Sequence, residues 1–371
     1  MKKYSQNFTR RNFLVTASSA GLALFVNPLT AWTEEDNDTK IAKIVAKMIG
    51  VDTHNHMDVP FKAEDFNPQN YSLVEELKKS GLSAICMTFC VDRPNLTKDG
   101  EAYERFILSL DEMDEMLKIN NLKRALNLKD LQKAHKEKQP IVIQAMEGGH
   151  FIDDKLERIE IAYKRGLRVL GLLHDNQSTY PLGDIYTDSP KFGGLTEMGE
   201  KVIAECNRLG ILIDLTHCNN DAINDALKVS SKPMIISHTG LNTQLGKNEE
   251  MAKRMMPRLI SKEQAKLFAN QGGLIGVWTH LAETPTAYAE NIRAMVDVVG
   301  VEHVCIGTDS KMAIPANAKG KITNKSWDNA KNGFLYTVVA EMLKIGFSQN
   351  EIIKIGSGNF CRIFDKATTV R

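Results

Sequence analysis

Four histidines and two carboxylates in this chain have the types and spacing to hold metal ions and move protons. His54 and His56 lie two apart in Val51-Asp52-Thr53-His54-Asn55-His56. That run reads as a strand, so both imidazoles project to one side and can meet one cation. Glu147 ends the apolar run from Ile141, and a carboxylate there can bridge two cations. His217 and His238 end two further apolar runs, and Asp309 ends Ile306-Gly307-Thr308-Asp309. Imidazole suits zinc. Two such ions ~3.5–4 Å apart can polarise a carbonyl and activate a shared water. Asp309 would take the proton of that water and hand it to a leaving amine. The His-x-His pair alone says little, because a lone histidine at a strand end is most often a satisfied core residue. The ordered set says much more.

The elements that must position these residues alternate short β-rich runs with amphipathic stretches, the pattern of a parallel α/β sheet. Eight runs are expected as strands: 50–56, 83–91, 140–148, 167–174, 210–217, 233–239, 273–280 and 303–309. Helices are expected over 71–79, 195–209, 219–228 and 261–270, with Ser261 as the N-cap of the last. Eight β/α units in series predict a closed (β/α)₈ barrel of the TIM type rather than a doubly wound sheet. Within the strands, Glu147 shares a face with Ala145, Ile143 and Ile141. His174 shares one with Leu172 and Leu170, His217 with Leu215, Ile213 and Ile211, and His238 with Ile236 and Met234. Apolar columns ending in polar residues at the C-terminal ends of strands are what barrel-interior layers under an active site should look like.

Bulk properties narrow the class. The chain has 371 residues, 47 Lys+Arg against 46 Asp+Glu, and a formal net charge of +1. This balance carries no nucleic-acid footprint. The six cysteines lack zinc-ribbon spacing and read as buried thiols. Cys86 and Cys90, four strand residues or ~13 Å apart, are beyond the ~7 Å reach of a disulfide. Thr9-Arg10-Arg11-Asn12-Phe13-Leu14 is followed by an uncharged stretch to Pro28. Residues 1–31 therefore read as a twin-arginine export signal, which implies the twin-arginine export machinery as a partner and a periplasmic or otherwise exported location. The apolar part is short of the ~20 residues of a membrane span. Residues 32–49 read as a polar linker and leading helix, and 50–371 as one catalytic domain.

The ordered motifs resemble the membrane (renal) dipeptidase family of zinc peptidases from about residue 50 to the C-terminus. Asp52-Thr53-His54-Asn55 resembles its opening D-G-H-N-D stretch, and Glu147-Gly148-Gly149 its E-G-G motif. Gly194-Leu195-Thr196, Ile213-Asp214-Leu215-Thr216-His217 and Pro233 to His238 resemble three further runs, as do Ile306-Gly307-Thr308-Asp309 and Gly358-Asn359-Phe360. The resemblance implies a dipeptidase with two zinc ions and a homodimer. It makes His174 a substrate-contacting residue. It gives Arg254, in Arg254-Met255-Met256-Pro257, the role of holding the substrate carboxylate, for which a bidentate guanidinium is suited.

Two departures stand out. His56 occupies the position of a family acidic ligand, so the expected set is His54, His56 and Glu147 on one ion and Glu147, His217 and His238 on the other. A neutral imidazole there raises the site's charge by one, favouring zinc and a more acidic water. After Asp309 the chain continues Ser310-Lys311-Met312 where the family has F-D-G. These changes keep open a second reading, another binuclear-zinc amidohydrolase acting on a lactone, a β-lactam-type ring or an N-acyl amino acid. A third is a non-catalytic, metal-stabilised binding protein; retention of every ligand position and of Asp309 weighs against it. His150 is read as either ordering a ligand or structural, His280 as either pocket-lining or a strand cap, His135 as solvated and His303 as structural.

Overall fold

The structure, a computed structural model, describes residues 34–57, 60–312, 327 and 333–369. The twin-arginine stretch lies outside the described residues. The described residues from Ile41 onward form one compact unit. The segment read as a polar linker and leading helix is helical from Glu34 to Ala46. Among the described residues no helix is long and apolar enough to cross a membrane.

Eight parallel strands follow one another in chain order. They are β1 (Val51–His56), β2 (Ala84–Cys90), β3 (Ile141–Glu147), β4 (Leu167–Gly171), β5 (Leu212–Asp214), β6 (Ile235–Thr239), β7 (Leu274–Val277) and β8 (Val304–Ile306). The barrel closes between β1 and the residues after β8. Asn55 bridges to Ser310, the His56 N–H donates to the Ser310 carbonyl at 2.8 Å, and the Asp309 N–H donates to the His54 carbonyl at 3.1 Å. Asp52 strengthens this seam by accepting the Thr308 N–H at 2.8 Å and the Thr308 hydroxyl at 2.6 Å.

The helices return the chain to the start of each strand and are capped by their own sequence. Ser261 accepts the Gln264 N–H and caps Lys262–Asn270, as expected. Asn219 caps Asn220–Val229 and Thr196 caps Glu197–Leu209, each through its side chain. The apolar faces of these helices pack on the outside of the sheet, where Ile85, Met87, Leu170, Ile213 and Ile236 meet Leu110, Ile159, Val202 and Ile292.

A second buried cluster draws on all eight strands: Val51, Ala84 with Cys86, Ile141 with Ile143 and Ala145, Val169, Leu212, Ile235, Leu274 and Cys305. This is the barrel interior, and Phe360 and Phe364 of the C-terminal helix belong to it. The expected column beneath Glu147 is interior. Those assigned beneath His174, His217 and His238 are not: Leu170, Leu172, Ile211, Ile213, Leu215, Met234 and Ile236 pack toward the helices. The strict two-residue alternation used to place them breaks down near the barrel mouth. β4 and β5 end at Gly171 and Asp214, three residues before His174 and His217. In β6 the pairing register shifts between Ile236 and Thr239, and in β1 between Asp52 and Asn55. Such irregularities re-aim side chains beside functional sites.

Close approach across the interior explains two glycines. A Cβ on Gly307 would sit 1.7 Å from the Ser237 carbonyl oxygen, and one on Gly276 1.9 Å from it. Thr53 fills the same layer, donating its hydroxyl toward the Ser237 and Ile306 carbonyls at 2.9 and 3.0 Å. None of the six cysteines is in a disulfide; Cys90 and Cys361 are half-buried and the other four buried.

Candidate metal centre and active site

Glu147 ends β3 in the middle of the mouth, and imidazoles surround it. Its Oε1 lies 2.8 Å from His217 Nε2, 3.5 Å from His54 Nε2 and 3.7 Å from His238 Nε2. Its Oε2 lies 3.2 Å from His174 Nε2 and 3.8 Å from His56 Nε2. Burial alone would raise the Glu147 pKa, but the charges of His174, His54 and His56 and the hydrogen bond with His217 hold it well below the carboxylate range.

Asp309 faces Glu147 across the mouth. Its Oδ1 is 2.8 Å from His56 Nε2 and its Oδ2 is 2.5 Å from His280 Nε2, with His54 and His238 at 3.9 Å. Here too burial is outweighed, by His238, His280 and His56, and Asp309 stays well below its usual pKa. Asp309 and His217 both have positive φ, 53° and 71°. A left-handed backbone is costly for these residue types and persists where the surroundings fix it. In both cases it turns a side chain just past a strand end into the mouth.

The other pKa shifts follow from burial and partner. Burial lowers His54 to about 4 and His238 to about 3. It would lower His217 as well, but hydrogen bonds to Asp175 and Glu147 raise that group to about 10. His174 Nδ1 is 2.6 Å from Asp92 Oδ1, which leaves Nε2 directed at Glu147. His217 Nδ1 lies 2.8 Å from the Tyr186 hydroxyl and 3.2 Å from Asp175 Oδ1. These outer partners fix ring orientation in the way metal-ligating histidines require.

The sequence-predicted residues His54, His56, Glu147, His174, His217, His238 and Asp309 therefore meet at one rim. Among the described residues four groups have donor atoms within 4.8 Å of one another: His54, Glu147 and His238; His54, His56 and Asp309; Glu147, His174 and His217; and, beside them, Cys90, Asp92 and His174. The structure thus brings Asp309 beside the His54–His56 pair and His174 beside Glu147 and His217, a grouping the sequence did not anticipate. His54 Nε2 and Glu147 Oε2 are buried without a hydrogen-bond partner. Leaving such groups unsatisfied is costly, and a cation between them would satisfy both. The donor set fits a pair of metal ions.

Arg254 sits differently from a deeply held clamp. It is exposed on the rim of a cavity of about 620 Å³ that contains the cluster, and it donates to the Met251 sulfur at 3.1 Å. Arg258, which the sequence reading did not single out, is half-buried and pairs with Asp175 at 2.9 Å. Asp175 also pairs with Arg93. Asp92, Asp175, Tyr186 and Arg258 were missed. The two aspartates had a signal, since each follows the C-terminal end of a barrel strand, where functional residues collect. Tyr186 lies in a turn and Arg258 in the short 3-10 helix Met256–Arg258, neither with a periodicity to place it. His280 proves to face the pocket and contact Asp309. His150 is buried and binds the Asn176 carbonyl at 2.7 Å, so it shapes the loop after His174 and orders no ligand directly. His135 is half-buried against the Ser83 hydroxyl at 3.0 Å rather than solvated, and His303 holds the Gly273 carbonyl at 2.8 Å, a structural role.

A closed β/α barrel with six imidazoles and two facing carboxylates in its mouth has the architecture of the metal-dependent amidohydrolases. This chain belongs to the membrane dipeptidase family, peptidase family M19, whose model matches residues 38–371. Dipeptidase 3 of Mus musculus is 26% identical over 61% of this chain, and the match spans 44% of that relative's length. Dipeptidase verJ of Clonostachys rogersoniana is 22% identical over 91% of this chain and 88% of its own. Two solved structures share the fold. The probable dipeptidase PvdM of Pseudomonas aeruginosa has a TM-score of 0.72 at 17% identity, covering 91% of this chain and all of the other (100%). A Rhodobacter sphaeroides metallo peptidase liganded with a phosphinate mimic of the dipeptide L-Ala-D-Ala has a TM-score of 0.67 at 17% identity, covering 86% and 99%.

Proposed function

We propose that this chain is a two-zinc dipeptidase that hydrolyses short peptides with a free C-terminal carboxylate. The observation that carries the reading is the pairing of Glu147, ringed by imidazoles, with Asp309 across the mouth of one cavity. His54, His56, Glu147, His217 and His238 would hold the ions, which when bound polarise a scissile carbonyl and acidify a water. Zinc is favoured because imidazole nitrogen dominates the donor set.

The chain's own groups supply the remaining steps. Asp309, kept deprotonated by its imidazole neighbours, accepts the proton of the attacking water and returns it to the leaving amine. His174, oriented by Asp92, presents Nε2 to the carbonyl oxygen. Arg254, exposed at the rim and donating only to the Met251 sulfur among the contacts described, would hold the terminal carboxylate, while Arg258 and Arg93 are engaged by Asp175.

Arg254→Ala tests the substrate class. A hydrogen bond to a charged group is worth ~1.5–3 kcal/mol, so KM for free dipeptides should rise roughly tenfold or more with little change in kcat. C-terminally amidated peptides should show no such penalty. Equal losses on amides, esters and lactones would make Arg254 structural and favour the broader amidohydrolase reading.

The export reading belongs to the same proposal. It is supported by Arg10-Arg11 and the uncharged stretch behind them. Arg10→Lys with Arg11→Lys should leave the protein in the cytoplasm when fractions are compared by immunoblot. Unchanged delivery to the periplasm would end that reading.

A further inference from the structure

Directly beneath the ligands lies a buried polar layer to which the reaction assigns no task. Ser237 Oγ is 3.2 Å from His54 Nδ1, 3.0 Å from His238 Nδ1, 2.5 Å from Asp214 Oδ2 and 3.3 Å from Thr216 Oγ1. All five residues are buried. A serine hydroxyl has one hydrogen and two lone pairs. The direction of that single O–H therefore dictates what two imidazoles must do.

Asp214 decides the direction, because an ionised carboxylate only accepts. Its Oδ1 takes the Thr216 N–H at 3.0 Å, the Ser237 N–H at 3.0 Å and the Thr216 hydroxyl at 2.7 Å. The Thr216 hydrogen is thereby committed and cannot go to Ser237. Asp214 Oδ2 is left for the Ser237 hydroxyl. With its hydrogen on Asp214, Ser237 can only accept from the two rings, so both Nδ1 atoms must carry hydrogen. A neutral imidazole has one N–H. Both Nε2 atoms are then bare, and these are the atoms that face Glu147 at 3.5 and 3.7 Å.

We propose that Asp214 and Ser237 are a positioning pair that sets the tautomers of His54 and His238 together, so that both rings offer an Nε2 lone pair before a metal arrives. The inference rests on His54 and His238 being ligands, not on the identity of the substrate.

The geometry makes Asp214→Asn a directional test. The amide oxygen must stay at the Oδ1 position, where three donors converge, so the amide N–H faces Ser237. It then donates to Oγ and turns the Ser237 hydrogen toward one of the histidines. That ring must accept on Nδ1 and carry its hydrogen on Nε2, where it blocks a metal.

The measurement is a long-range proton–nitrogen correlation spectrum of the metal-free protein labelled with ¹⁵N-histidine at neutral pH, with resonances assigned through His54→Gln and His238→Gln. The unaltered chain should show both rings with unprotonated Nε2. Asp214→Asn should move one ring to the Nε2–H form and weaken zinc binding by ~10–100-fold in a competitive titration, the range for outer-shell partners of metal ligands. Ser237→Ala should weaken it similarly, and Ser237→Thr, which keeps the hydroxyl, should restore tautomers and affinity. An Nε2–H form of His54 or His238 in the unaltered chain overturns the proposal, and this holds even if Asp214→Asn fails to fold. Unchanged tautomers and zinc affinity in folded Asp214→Asn overturn it too. Absent dipeptide turnover with the tautomers as stated would count against the substrate reading and leave this one supported.

Discussion

On the proposed mechanism, Asp309→Asn is expected to lower kcat on a dipeptide by ~10²–10⁴ while any bound metals are kept, because it would remove the proton acceptor of the transition state. The substitution preserves shape. Its amide oxygen can still accept from His56 Nε2, which lies 2.8 Å away in the native chain. Its amide nitrogen meets His280, which can adopt the tautomer that accepts. What is lost is the ability to take and return a proton, for which the low pKa enforced by His238, His280 and His56 had kept Asp309 ready. Steady-state kinetics with elemental analysis on the same preparation check the point. Turnover within threefold of the native rate would remove Asp309 from the reaction. Loss of metal together with turnover would instead make it a ligand, as its approach to the His54–His56 pair allows.

Glu147→Gln should have a larger effect on binding than any other single change in the mouth. Outer partners of metal ligands are worth ~10–100-fold in affinity. Neutralising the carboxylate among five imidazoles should exceed ~100-fold and leave the second metal equivalent unbound. The metal-free protein offers a separate readout. Breaking a buried charge pair by removing one member costs ~3–5 kcal/mol. The sign with pH follows from the two shifts. Glu147, held low, contributes stability above the ordinary carboxylate range and loses it as pH falls through its folded pKa. His217, raised to about 10, contributes fully below the ordinary histidine pKa and loses that contribution progressively up to about 10. Metal-free Glu147→Gln should therefore be most destabilised between the ordinary carboxylate and histidine pKa values, at about pH 5–6, with the gap to the native chain closing in strong acid and shrinking as pH rises toward about 10. A gap that is constant with pH would mean that Glu147 is not ionised in the metal-free fold.

The residues that meet at the barrel mouth were legible in the sequence because their types are expensive to bury without purpose. Glu147, His217 and His238 each end a largely apolar run, His54 and His56 lie two apart in one strand, and Asp309 ends Ile306-Gly307-Thr308-Asp309; eight short β-rich runs in series leave few architectures but a barrel. The capping residues Ser261, Asn219 and Thr196 were local signals and fell where the helices begin.

Less legible was how each side chain reaches the mouth. Periodicity assumes an unbroken strand, and β4, β5, β7 and β8 stop three residues short of His174, His217, His280 and Asp309. Beyond a strand end the direction of a side chain depends on backbone torsions, such as the positive φ of His217 and Asp309, which the surroundings impose. The columns assigned beneath His174, His217 and His238 were accordingly on the helix side of the sheet.

Sequence by itself thus determined the barrel, its family and which titratable residues gather at its mouth, because composition and order along the chain are one-dimensional facts. Only the tertiary structure decided the pairings: Asp92 on His174, Asp175 shared among His217, Arg93 and Arg258, His280 on Asp309, and Ser237 between two rings. Several of these contacts join residues more than eighty positions apart, such as Asp92 with His174 and Ser237 with His54. Their hydrogen-bond directions are set by burial away from water, and no local pattern in the chain encodes that.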